Sequence, residues 1–250
     1  LGVRTIKTRS LRAIGTALVF ASTSAASAAV LDFEAFNPGQ IIDSEYAPDV
    51  VITGINFSNG PDIAVIFDTT DANPVGGDFD LVAPFDSMNP ELPDNYEPGN
   101  VLIIQENEGS CNFVSGICGV PDDEGSRPAG LFEFLFSQDV ILETIDFFDI
   151  EFEENNQNPD SRIHLYDALG NEIQRGMWFV PNTGGDNTWD QLDFGGIGNV
   201  RRIVIEMGGS GAIDNLTYQV IPLPAAAWLF GSALALLGWT RRRATRRDDF

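Results

Sequence analysis

Basic residues are scarce in this 250-residue chain, and most of them sit at its ends. Fourteen Lys and Arg face 37 Asp and Glu, a formal net charge of −23. Arg4, Lys7, Arg9 and Arg12 lie within the first 28 residues, where no acid occurs; five arginines lie within the last ten, beside two acids. The chain between keeps five arginines against 35 acids, a net of −30. A body so charged repels phosphate backbones and anionic lipid, which excludes nucleic-acid binding. Histidine occurs once, as His164, with no Ser and Asp in a recognisable elbow, so a catalytic triad has no support. Helical signal is missing from the interior, where no window keeps a 3.6-residue period with caps. What is plentiful is apolar: 43% of residues, 18 of them Phe, enough for a sizeable core in 27.2 kDa.

The two ends read as addresses. Residues 4–12 form a basic stretch, residues 13–21 (AIGTALVFA) a short apolar run, and Ala26-Ser27-Ala28 an A-x-A cleavage site. Together they predict a signal peptide over 1–28. The body follows over 29–219, and a C-terminal sorting segment over 220–250. Residues 221–240 carry no charge, just the length that a bilayer-spanning helix needs, with Trp228 and Trp239 near opposite ends. Arg241, Arg242 and Arg243 follow at once, which places that end in the cytoplasm and the body outside the inner membrane.

The string Ile221-Pro222-Leu223-Pro224-Ala225, a Trp-Leu three residues on, a span rich in small residues and the terminal arginines resemble a bacterial sorting signal. The signal is that of the PEP-CTERM superfamily, in its VPLPA-CTERM variant. Ile221 stands where the variant has Val, and Leu223 where the parent motif has Glu. The resemblance implies an inner-membrane-anchored precursor, cut near the prolines by an exosortase-type membrane protease. Release to the cell surface or extracellular matrix of a Gram-negative-type bacterium follows. Pro222 and Pro224 hold the backbone extended where a protease reaches it. The competing reading is a permanently tail-anchored envelope protein.

The body reads as β throughout. Runs such as 50–57, 63–67, 101–104, 131–136, 141–152, 163–166, 177–180, 200–207 and 213–218 are rich in β-branched and aromatic residues, with Gly, Pro, Asn and Asp between. About ten short strands predict one antiparallel β-sandwich, jelly-roll-like in its connections. Segment 74–100 lacks strand signal and reads as a surface loop. Cys111 and Cys118, the only cysteines of an exported chain, predict a disulfide across a hairpin or loop.

Acids offer the candidate chemistry. Asp32 and Glu34 alternate with Leu31 and Phe33 on the expected first strand, and Asp214 falls in the expected last one. First and last strands of such sandwiches meet, and carboxylates meeting there repel unless a cation bridges them; calcium suits oxygen-only ligands. The pairing resembles the structural calcium site of β-sandwich carbohydrate-binding modules, which implies Glu34 and Asp214 as ligands with Asp32 third. The acidic loop 68–80 does not follow the EF-hand order and reads as a solvated turn or a weak second cation site. Acids from Glu143 to Glu154 raise the alternative of an extracellular glycan-active enzyme working with two carboxylates. Pairs are expected by chance in so acidic a body, so the reading is a non-catalytic surface or matrix protein that binds polysaccharide. Trp178, Trp189 and the four tyrosines are the candidates for sugar stacking. Strands resembling other sorted surface proteins (Leu31 to Glu34, Asp80-Leu81, 102–106 and 209–216) imply that group without an activity.

Overall fold

A computed structural model of the chain describes residues 28–152 and 161–221. The expected signal peptide up to Ser27, residues 153–160, and the sorting segment from Pro222 onward, with its arginines, lie outside the described residues. The strands are β1 (Ala28–Leu31), β2 (Ile41–Ile42), β3 (Val50–Asn56), β4 (Ala64–Asp68), β5 (Asp86–Ser87), β6 (Asn100–Ile104), β7 (Cys111–Asn112), β8 (Ile117–Cys118), β9 (Gly130–Phe148), β10 (Arg162–Tyr166), β11 (Glu172–Phe179), β12 (Thr188–Met207) and β13 (Ala212–Val220). Two 3-10 turns, Phe79–Leu81 and Glu108–Ser110, accompany them. Among the described residues no helix is long and apolar enough to cross a membrane.

Two long strands build both layers. The first half of β9 pairs with β3 and with the second half of β12, which continues to β10 and β11. The second half of β9 pairs with β13 and with the first half of β12, and β13 continues to β6, β4 and β2. β1 runs antiparallel beside β13, from Ala28 opposite Gln219 to Leu31 opposite Leu216. Pairing is antiparallel except where the short β5 meets β12. The sequence suggests separate strands over 131–136 and 141–152; the structure joins them up to Phe148 in β9. It also extends the strand expected at 200–207 back to Thr188. Register shifts between Asp193 and Arg202, with Gly195, Gly196 and Asn199 at positive φ, bend β12 from one layer into the other. Those residues carry the sequence signature of a turn, which is why the strand is hard to read there.

Alternation fixes the inner core. Ile52, Phe132, Phe134, Ile203 and Leu165 of one layer meet Leu102, Ile104, Phe147, Ile213 and Leu216 of the other. Phe136 and Tyr218 pack across the gap with ring centroids 5.0 Å apart. The result is an antiparallel β-sandwich.

The second layer is buried on its outer face too. Val65, Phe67, Val101, Ile103 and Phe148 alternate with the inner residues and form a second core. Segment 74–100 covers that core, a correction to its reading as a surface loop. Its own Leu81 and Phe85 are buried against the sheet, Phe85 meets Phe148 with ring centroids 4.9 Å apart, and Trp189 Nε1 donates to the Pro93 carbonyl at 3.0 Å. Burial on both faces explains the unbroken apolar runs of β4 and β6. Cys111 and Cys118 face each other across the β7–β8 hairpin and form the expected disulfide.

Phe85→Ala is expected to destabilise the protein by about 3–5 kcal/mol. Phe79→Ala, at a side chain 61% exposed, should change stability by no more than about 0.5 kcal/mol. Urea unfolding midpoints of the two variants check this; equal small losses would mean that segment 74–100 is not part of the core.

Candidate metal centre

β1 ends at Leu31, so Asp32 and Glu34 lie just past it rather than on it. The alternation nevertheless persists: Leu31 and Phe33 are buried, while Asp32 and Glu34 turn outward. Phe33 holds φ at +54°, a left-handed conformation unusual for an aromatic residue, and there the chain departs from the strand direction. Asn100 secures the turn, its Nδ2 donating to the Phe33 and Phe36 carbonyls at 3.2 and 3.0 Å. The Asn100 backbone N–H donates to Glu34 Oε1 at 2.8 Å. Glu34 rests against Gly99, which has φ of +84°; a Cβ there would come within 2.5 Å of Oε1. Glycine is therefore required beside the carboxylate.

Asp214 is the third residue of β13, opposite Asp146 of β9. It is 1% exposed, and neither carboxylate oxygen has a hydrogen-bond partner. Burial pushes it up to about 9 from its ordinary 3.8; the nearby Asn215 backbone N–H opposes this, and the charges of Asp146, Glu34 and Asp32 add to it. Asp146, Glu34 and Asp32 thus lie within electrostatic reach of Asp214. Asp146 differs in being satisfied, since it accepts from Gln191 Nε2 at 2.8 Å, Asn215 Nδ2 at 3.0 Å and Tyr96 Oη at 3.4 Å. Tyr46, edge-on to Phe33 and Phe36, is pushed up to about 12 by burial, with Asp32 and Asp214 contributing.

Neutralisation from within the described body is absent. Arg127 pairs with Glu151, Arg175 with Glu172, Arg201 with Asp139 and Arg202 with Glu133, while Arg162 lies over the Phe179 ring. An unpaired buried carboxylate is costly, so the group takes up a proton or an external cation. Asp214 offers two unpartnered carboxylate oxygens, and Glu34 and Asp32 act on it through their charges, without the three closing to the 4.8 Å that gathers Asp80, Asp149 and Asp186. Oxygen donors of this kind suit Ca²⁺.

A second acidic group, not anticipated as a unit, joins Asp80, Asp149 and Asp186, with one carboxylate oxygen from each within 4.8 Å of the others. Asp123 nearby is pushed up to about 8 by burial, eased by the Gly211 N–H at 2.5 Å and raised by Asp149, Asp80 and Asp122. Asp78 rises to about 8 through burial and the charges of Asp123 and Asp122. Loop 68–80 is therefore divided: Asp78 and Asp80 turn toward this group, whereas Asp68 and Asp71 do not join it. Three chain segments supply the trio, so no local spacing signals it.

The expected sugar-stacking aromatics are largely spent on packing. Trp189 is buried and tilted against Tyr96, with centroids 4.3 Å apart; Trp178 packs edge-on against Phe194; Arg202 covers Tyr166.

No protein-family model and no curated protein matches the chain. Among solved structures, discoidin II from Dictyostelium discoideum overlaps 39% of this chain and 40% of its own at 10% identity, with a TM-score of 0.28. A fucose-binding module of Streptococcus pneumoniae overlaps 47% of this chain and 78% of its own at 19% identity, with a TM-score of 0.25. Overlaps this small assign neither a shared fold nor a ligand.

The raised Asp214 sets a pH dependence. Between about pH 4 and pH 9 the cation-free folded state holds a proton that the unfolded chain has lost, so stability falls as pH rises through this window. Asp78 and Asp123 act in the same direction up to about pH 8. Urea unfolding in chelator at pH 5, 7 and 9 should show the decline, and Asp214→Asn should make it shallower. Identical slopes would mean that Asp214 is ionised in the cation-free protein.

Proposed function

We propose that the chain is an exported, non-catalytic protein of the cell surface or extracellular matrix. In this reading its jelly-roll-like sandwich is held together by Ca²⁺ at Asp32, Glu34 and Asp214 and binds polysaccharide. The observation that carries the cation reading is the buried carboxylate of Asp214, whose oxygens accept no hydrogen bond and which no basic residue among the described residues pairs with. Glu34 follows the first strand and Asp214 lies in the last, so one ion held by both ties together the two ends of the body. Bound there, Ca²⁺ supplies the positive charge that the site lacks. The chain's own residues fix the ligands: Asn100 aims Glu34, and Gly99 leaves room for it.

Export and sorting rest on the sequence of the two ends, and the disulfide suits an oxidising compartment. An exosortase-type protease acting near Pro222–Ala225 is the proposed partner. The Arg-flanked apolar span holds the precursor in the membrane until cleavage. The glycan-active enzyme is the weaker reading, because three of the carboxylates that suggested it are engaged in structural contacts. Glu143 accepts from Gln219, Asp146 from three donors, and Glu151 pairs with Arg127. His164 stands between Glu172 and Glu206 at 2.6 and 3.4 Å, an arrangement that ties β10 to β11 and β12.

Two measurements test these readings separately. Saturation at one hundred times Kd should stabilise the protein by about 2.7 kcal/mol, on the order of 5–10 °C in melting temperature. The shift should exceed that of NaCl at matched ionic strength and should vanish in Asp214→Asn but persist in Glu91→Gln. Equal responses of the two variants would reduce the effect to bulk screening. For sorting, C-terminal mass spectrometry of the extracellular protein should find the Arg-rich tail removed, and Pro222→Ala with Pro224→Ala should leave uncut precursor in the membrane. An intact tail on the released protein would contradict the sorting reading.

A further inference from the structure

A cavity of about 260 Å³ lies apart from both acidic groups, between the disulfide hairpin and the chain on either side of β4. Its walls are fixed. Gly39, at φ of +77°, lets the two segments touch: a Cβ there would lie 2.1 Å from the Cys118 carbonyl oxygen. The Cys118 N–H donates to the Gly39 carbonyl at 2.7 Å, and the Ile41 N–H to that of Gly116 at 2.8 Å. The disulfide closes the hairpin behind this contact. The lining is mostly apolar, with Pro38, Pro74, Pro121, Val75 and Ile117.

Two carboxylates interrupt it, both from the wall 67–75. Asp68 Oδ1 accepts from the backbone N–H and Oγ1 of Thr70 at 2.9 and 2.7 Å, and Asp71 Oδ1 accepts from the Asn73 N–H at 3.0 Å. Each side chain is thus held by one oxygen, and among the described residues its second oxygen accepts no hydrogen bond. The five arginines of the described body are engaged elsewhere. Charge complementarity therefore asks for a cationic occupant, and the apolar walls ask that it carry a C–H face.

We propose that this cavity binds an amino-sugar unit of a cationic, de-N-acetylated polysaccharide, its ammonium and hydroxyl groups donating to Asp68 and Asp71 and its ring face resting on the proline-lined wall. The inference rests on the polysaccharide reading above and narrows it to one glycan class. Polyanionic glycans are repelled by a body of net charge −30. A basic peptide meets the charge requirement, but a flexible alkyl-ammonium leaves the apolar walls poorly covered and loses more side-chain entropy on binding.

The test is isothermal titration of the purified protein, with Ca²⁺ present throughout. Four ligands are compared: a β-1,4-glucosamine hexamer, its fully N-acetylated counterpart, an oligouronate and oligolysine. The glucosamine hexamer should bind, and the other three at least tenfold more weakly. Asp68→Asn with Asp71→Asn keeps the oxygens that cap the turns and should weaken hexamer binding at least tenfold without moving the unfolding midpoint. Val75→Arg, at a side chain 62% exposed, places a cation at the cavity and should abolish binding. Oligolysine binding as tightly as the hexamer would make the cavity a basic-peptide site and overturn the proposal. Equal affinity for the N-acetylated hexamer, or hexamer binding that survives both sets of substitutions, would also overturn it. Binding to a neutral or anionic glycan alone would overturn this inference and leave the polysaccharide reading standing; silence toward every glycan would overturn both.

Discussion

A carboxylate buried without a counter-charge is the constraint around which the rest of the described body is arranged. Asp214 is fixed in β13 by pairing with β9 on one side and with β6 and β1 on the other, and its side chain is 1% exposed. Its neighbours add negative charge, and each described arginine has an attachment elsewhere. A site that must take a proton or a cation links folding to the ionic composition of its surroundings. Such a linkage suits an exported protein, which meets free divalent cations outside the cell membrane.

The same neighbourhood joins the terminal strands to the covering segment. Asp146, opposite Asp214, accepts from Tyr96 of that segment, and Asn215 Nδ2 donates to the Tyr96 hydroxyl at 2.9 Å. At its end stand Gly99 and Asn100, which seat Glu34. The outer core of the second layer, its cover and the acidic centre are therefore one assembly. The disulfide hairpin and its cavity are fixed by separate bonds on the other side of β4.

The sequence made the β class and the disulfide legible because both rest on local signals, alternating or unbroken apolar runs and a lone cysteine pair. It also let the first and last strands be read as neighbours, which the pairing of β1 with β13 shows; Glu34 and Asp214 as joint ligands belong to the proposal above. The continuity of β9 and β12 was hidden because a bent strand uses the residues of a turn: Gly195, Gly196 and Asn199 look like a break and act as bulges. Segment 74–100 was misread because Leu81, Phe85, Leu92 and Tyr96 stand apart among Pro, Gly and acidic residues and form no strand-like run; they fit the face of an existing sheet. The Asp80, Asp149 and Asp186 group, gathered from three distant segments, has no sequence signature at all.

The central claim is that Asp214 exchanges a proton for a divalent cation. The most direct measurement is carboxyl ¹³C NMR of the aspartate side chains at pH 7, first in chelator and then with one equivalent of Ca²⁺. The account predicts a neutral Asp214 carboxyl in chelator, its resonance assigned by Asp214→Asn, that moves to the ionised position as Ca²⁺ is added. A resonance already at the ionised position in chelator and indifferent to Ca²⁺ would contradict it.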